Sequence, residues 1–240
     1  MIELKNLTKV YGKSNKAVDN ITITFPSGRI IGFIGPNGAG KTTTLKMMCG
    51  ILKPTSGSIN MNGFDIAIDP LEAKKQFGFV FDNPDTFLSL KGIEYIDFIA
   101  TIYQVDPEDK NRRLLELSRE FEMEDVLNDK ISTYSHGMRQ KIMIIAVLIH
   151  NPNVWLLDEP LTGLDPQSAF KLKELMKQHA AQGNTVLFST HVLEVAEKLC
   201  DSIAIIDHGI IKYEGTLNHL KELNPNETLE EIFLKVTKDE

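Results

Sequence analysis

Two hydrophobic periods divide the chain. Ile2-Glu3-Leu4-Lys5-Asn6-Leu7 and Ile21-Thr22-Ile23-Thr24-Phe25 alternate apolar with polar residues, the pattern of half-exposed strands. Lys9 to Gly12 should end the first. Ser27-Gly28 then turns the chain into Ile30-Ile31-Gly32-Phe33-Ile34, whose continuous apolar character predicts a strand buried on both faces. Pro54 to Gly57 breaks the helix that follows. Ser58 to Met61 predicts a further strand, Pro70 to Lys75 a short helix, and Phe77 to Phe81 a buried strand that Asp82-Asn83-Pro84-Asp85 stops.

Helical spacing replaces the strand pattern from Gly92. Ile93, Ile96, Ile99, Ala100 and Tyr103, then Leu114, Leu115, Leu117 and Phe121, recur at three- and four-residue intervals, with the apolar helix Ile142 to His150 behind them. Helices without an intervening strand predict an inserted helical part from about 85 to 151. Strands then alternate with helices again. Val154 to Leu157 is followed by a helix Gln167 to Ala181 with Leu172, Leu175 and Met176 inward. Strand Thr185 to Thr190, helix Leu193 to Cys200 and a hairpin of Ile203 to Ile206 with Ile210 to Tyr213 complete this stretch. The tail reads as a helix from Gly215-Thr216 through Leu223, stopped by Asn224-Pro225-Asn226, and a short amphipathic helix from Thr228 to Leu234.

The expected fold class is α/β, in one domain spanning 1–240. Residues 1–84 and 152–215 should form a core with a mostly parallel sheet and a small N-terminal antiparallel β part. Residues 85–151 form the helical insert and 216–240 a helical tail. In such sheets ligands gather at the carboxyl ends of the strands.

Composition narrows the function classes. A net charge of −7 over 240 residues disfavours a broad nucleic-acid-binding surface, so no nucleic-acid partner is expected. Cys49 and Cys200 lack metal-ligand spacing and are too few for a disulfide framework, which suits small buried hydrophobes in a reducing compartment. No signal-peptide pattern opens the sequence. The longest apolar run, Ile142 to Ile149, is far short of the roughly 20 residues of a membrane helix. Work on a membrane would therefore go through a partner.

The chemistry concentrates after the buried strand, in Gly35-Pro36-Asn37-Gly38-Ala39-Gly40-Lys41-Thr42-Thr43. This is the P-loop spacing. Without bulky side chains the loop can curl its N–H groups inward around an anion, and the following helix adds its positive end. The implied ligand is a nucleoside triphosphate, with Lys41 at the β- and γ-phosphates and the Thr42 hydroxyl on a bridging Mg²⁺. A chance glycine-rich turn rarely has Lys-Thr in place after a buried strand. Asp158 and Glu159 end the apolar run Val154 to Leu157, where Asp158 would hold Mg²⁺ and Glu159 would act as general base on a water. Taken alone, Asp-Glu at a strand end reads more readily as a solvated strand end; the P-loop makes the pair informative.

Tyr134-Ser135-His136-Gly137-Met138-Arg139-Gln140, between those two motifs, resembles the signature of ABC ATPases. The resemblance extends in order from Ile2 to about Gly215. It places Tyr11 at the adenine-stacking loop, Asp82 at the Q-loop, Gly163-Leu164-Asp165 at the D-loop and His191 at the H-switch. It implies a catalytic set of Glu159, His191 and Lys41, with Mg²⁺ held by Thr42, Asp82 and Asp158. The implied nucleotide contacts are Tyr11, the 35–43 loop, Asp165, and Ser135 and Gly137 of a facing copy. ATP and Mg²⁺ are thus the expected cofactors. The expected partners are a membrane permease and a second copy of the chain or a relative, at the inner face of the cell membrane.

Two positions depart from the family pattern. Asp82 stands where Gln is usual, adding charge near the γ-phosphate. His136 stands where Gly is usual, either pointing outward or facing phosphate as a pH-sensitive cation. The tail resembles ATPase subunits of exporters of the Ecs, bacitracin-resistance and drug-export types. The competing reading is a soluble ATP-gated clamp on nucleic acid or ribosomes. Such clamps carry long coiled-coil inserts or two ATPase units, and this chain shows neither.

Overall fold

The computed structural model describes residues 1–12, 14–225 and 227–238; Asn226, expected to help stop a helix, lies outside them. Four strands, β1 (Ile2–Tyr11), β2 (Asn15–Phe25), β4 (Ser56–Met61) and β5 (Phe64–Asp65), form an antiparallel sheet in the order β2-β1-β4-β5. Six others, β3 (Ile30–Ile34), β6 (Phe77–Val80), β7 (Val154–Asp158), β8 (Thr185–Thr190), β9 (Ser202–Asp207) and β10 (Ile210–Thr216), form a second sheet. Its order is β10-β9-β3-β8-β7-β6, parallel except for the edge strand β10.

The strand period sorts the core. Ile31 and Phe33 of β3 with Val154 and Leu156 of β7 face the antiparallel sheet, packing with Leu4, Phe25 and Met61 and with Leu45 of α1 (Lys41–Met48). Trp155 and Leu157, pointing the opposite way, pack under α5 (His136–Ile149) and α6 (Pro166–Ala181). Central strands covered on both sides are apolar throughout for this reason.

Between β6 and β7 come α3 (Gly92–Ile102), α4 (Pro107–Glu120) and α5, following the short α2 (Pro70–Lys75). Tyr103, just after α3, stacks on His150 at the end of α5, ring centroids 3.7 Å apart, and its hydroxyl donates to the carbonyl of Phe77 in edge strand β6 at 3.5 Å, which fastens this part to the sheet edge. Burial pushes the His150 imidazole down to about 4, with Arg113 and His179 adding to the shift. After α7 (Leu193–Leu199), the tail helices α8 (Leu217–Leu223) and α9 (Leu229–Lys238) bury Leu217, Leu220, Leu229 and Ile232 against Ile34, Ile203 and Ile205.

The first strand ends at Tyr11, inside the stretch Lys9 to Gly12 expected to stop it. One expected boundary is corrected: the second strand starts at Asn15 rather than Ile21, because three register shifts, one beside Asn6 with φ 50°, bend the pair without ending its pairing. Cys200 is only partly buried, although Cys49 is fully so. Among the described residues no helix is long and apolar enough to cross a membrane.

Candidate active site

The loop between β3 and α1 is shaped by its glycines. A Cβ on Gly35 would stand 2.3 Å from the Ile206 carbonyl oxygen, and one on Gly40, at φ 108°, 2.4 Å from that of Ala17. Only glycine fits the chain so tightly between β9 and β2. No side chain caps α1 and no acid sits in its first turn, so its leading N–H groups remain available to an anion. The loop borders a cavity of about 240 Å³ lined by Ala17, Pro36 to Thr43, Asp82 and Glu159.

Lys41 is buried, and its Nζ donates to the carbonyls of Gly35 (2.7 Å) and Pro36 (3.2 Å) while lying 3.8 Å from Glu159 Oε1. Burial pushes the ammonium pKa down, and the carboxylates of Glu159 and Asp158 oppose that shift. Asp158 ends β7 with no exposed surface; its Oδ1 accepts from Ser189 Oγ at 2.5 Å and its buried Oδ2 has no partner. Burial raises its pKa against the Ser189 and Thr42 hydroxyls, which lower it. A desolvated carboxylate oxygen left free beside a threonine hydroxyl is an incomplete coordination shell for a hard divalent cation. The residues present therefore fit Mg²⁺.

Glu159 follows at φ 47°, a conformation costly for a residue with a side chain and held here by its N–H, which donates to Ser189 Oγ at 3.0 Å. Its Oε1 lies 3.0 Å from Nδ1 of His191, at the end of β8. Asp82 is exposed at the cavity edge, where its Oδ1 accepts from the N–H of Asn83. Lys41, Thr42, Asp82, Asp158, Glu159 and His191 thus converge at the carboxyl ends of β3, β6, β7 and β8.

Other predicted residues lie apart. Tyr11 does not line the cavity; 42% exposed at the end of β1, it carries the Lys9 ammonium 5.4 Å from its ring centroid. Ser135 caps α5, its Oγ accepting from the N–H of Met138 at 3.3 Å, and neither it nor Gly137 borders the cavity. Asp165, half exposed, bonds within its own chain. It caps α6, accepting from the N–H and Oγ of Ser168 at 2.9 and 2.6 Å, and pairs with Lys141 at 3.1 Å. His136 is exposed, in keeping with the outward-pointing arrangement, and its ring edge lies against the backbone of Gly163 in the same chain. Ser189 is the functional residue that sequence reasoning missed. The signal available was a small polar residue after the apolar run Val186-Leu187-Phe188, directly before Thr190-His191.

A phosphate-cradling loop, two carboxylates at the end of the next strand but one in the sheet, and a helix-capping serine on an inserted helical part define a P-loop ATPase cassette. The chain belongs to the ABC transporter family, whose model matches residues 18–162, and within it to the ATP-binding subunits. It is 36% identical over 220 residues to the ABC transporter ATP-binding protein NatA of Bacillus subtilis, covering 91% of this chain and 89% of that protein. With the ABC-type transporter ATP-binding protein EcsA of the same organism it shares 35% over 242 residues, covering 100% and 98%. The daunorubicin/doxorubicin resistance ATP-binding protein DrrA of Streptomyces peucetius is 34% identical, covering 92% of this chain and 66% of the relative. A solved ATP-binding subunit of an ABC transporter superposes with a TM-score of 0.94 at 33% identity, covering 98% and 99% of the two chains. The dimeric ATP-binding cassette MJ0796 in a post-hydrolysis state with ADP and Pi superposes at 0.81 and 29% identity, covering 90% and 99%.

Proposed function

We propose that this chain hydrolyses ATP to ADP and phosphate as the engine of a membrane exporter, working as a pair of cassettes beneath a separate permease. The observation that carries the reading is the division of the site. The triphosphate cradle shares one cavity with Glu159 and Asp82, whereas the capping serine of α5 lies elsewhere on the same chain. Two copies packed head to tail would each lend Ser135 and Gly137, at the positive end of α5, to the γ-phosphate held by the other. The dimeric state of the MJ0796 relative supports this arrangement.

In that closed pair the loop amides and Lys41 orient the triphosphate, and Tyr11 stacks on the base. Thr42, Asp158 and Asp82 would hold Mg²⁺, which would neutralise charge on the β- and γ-phosphates. Glu159 takes the proton of a water as its oxygen bonds to the γ-phosphorus and the bond to the bridging oxygen breaks. His191, 3.0 Å from Glu159, orients that carboxylate and reaches the γ-phosphate. Cleavage removes the charge that binds the halves, and they separate. The permease would dock near 82–90 and α3, where Phe87 and Phe98 are half exposed and in contact with each other. The drug-resistance names among the relatives favour export.

The test is Glu159→Gln with ATP and Mg²⁺ in a sizing experiment. Retained nucleotide and a shift to twice the mass are expected, whereas a monomer that binds no nucleotide overturns the reading. Copurification with an integral membrane protein is the expected result in cells.

A further inference from the structure

His136 departs from the family's glycine, and its surroundings give the change a physical meaning. A Cβ built on Gly163 would fall 2.3 Å from His136 Cδ2 and 2.7 Å from Nε2, and one on Gly137 would fall 2.8 Å from the Gly163 carbonyl oxygen. The turn that presents Ser135 is therefore seated directly on the backbone of Gly163, itself at φ 80°. One helical turn on, Gln140 Nε2 donates to the Pro160 carbonyl at 3.5 Å and Lys141 Nζ meets Asp165 Oδ2 at 3.1 Å. Positions 136, 137, 140 and 141 share one helix face. That whole face is fastened to the single loop 160–165, which leaves Glu159 without an intervening element.

We propose that His136 is a positioning residue whose ring, packed on Gly163, sets the serine-bearing turn in its closing orientation before ATP arrives. The proposal deepens the paired-cassette reading and rests on it. A glycine at 136 would leave the turn free to sample conformations that closure must then remove. Histidine gives up that freedom in the single chain, so pairing over the triphosphate loses less entropy. The entropy difference between glycine and other residues corresponds to about a 2- to 5-fold effect per turn, and a pair closes two turns.

The experiment compares Glu159→Gln with the double variants E159Q/H136G and E159Q/H136F, measuring pairing against ATP concentration by light scattering and ADP affinity by titration. H136G is expected to lower the pairing constant at a given ATP concentration by roughly 4- to 25-fold, with ADP affinity unchanged because ADP is held by one chain's own loop. H136F keeps a ring over Gly163 without the nitrogens and is expected to stay within about two-fold of its parent, since the mechanism is packing rather than charge. Pairing by H136G at the parent's ATP concentration, or an H136F variant as impaired as H136G, overturns the assignment. In either case the parent still pairs, so the paired-cassette reading survives; a parent that does not pair takes both down.

Discussion

At the scale of single residues, the site holds a buried carboxylate that a bound cation would stabilise. Asp158 is fully buried with one oxygen unpartnered, and burial raises its pKa above that of an exposed aspartate. A raised carboxylate pKa means that the folded state holds the proton more tightly than the unfolded one. The ionised group therefore detracts from stability as pH rises above about 4, and the penalty vanishes in acid, where both states are protonated. Asp158→Asn keeps a partner for Ser189 and removes the charge. It should raise Tm by roughly 2–8 °C at neutral pH, on the order of 1–2 kcal/mol, with a smaller gain near pH 4. It should also abolish Mg²⁺-dependent protection by ATP, and calorimetry with and without Mg-ATP checks both halves. Lys41, Asp158, Glu159 and His191 were legible because each belongs to a contiguous motif or a strand end. Ser189 was not, since its role depends on β8 lying beside β7 with Asp158 opposite Ser189. Nor was the contact of His136 with Gly163, which joins distant stretches of chain that only folding brings together.

At the scale of elements, the loop after Glu159 is held by the start of α6. Asp165 caps that helix through Ser168, and these hydrogen bonds, ahead of the Lys141 ammonium, hold its carboxyl well below the usual range. A depressed pKa contributes stability above about pH 4 that is lost as pH falls toward the folded value. The Asp165 side chain is half exposed, so solvent screens much of the ion pair and the cap remains the main contribution. Asp165→Ala should cost about 1 kcal/mol, roughly 2–4 °C in Tm, at pH 7 and progressively less below pH 4. An equal loss at pH 7 and pH 3 would mean that the charge of the cap is irrelevant. Most strand and helix positions were readable from period, but the start of β2 and the two-residue β5 were not. The register shifts between β1 and β2 break the alternation that marks a strand while the two keep pairing.

At the scale of the whole molecule, the sequence order of the motifs conveys the cassette but not its stoichiometry, because Ser135 and Gly137 do not border the cavity of their own chain. On the proposed reading a second copy completes the site, and turnover then depends on encounter. Each copy carries a net charge of −7, so long-range repulsion opposes that encounter until salt screens it, over a Debye length of about 8 Å at physiological ionic strength. For two identical chains, specific ATPase activity should rise with protein concentration until pairing saturates. Below saturation it should also rise as ionic strength increases from about 10 to 150 mM. A chain built to pair with a relative would instead hold a flat, low specific activity across the same dilution series, and adding the relative would restore the slope. A flat series at full activity, with one chain hydrolysing ATP unaided, would mean that the γ-phosphate needs no serine from a neighbour, and the division of the site would lose its meaning.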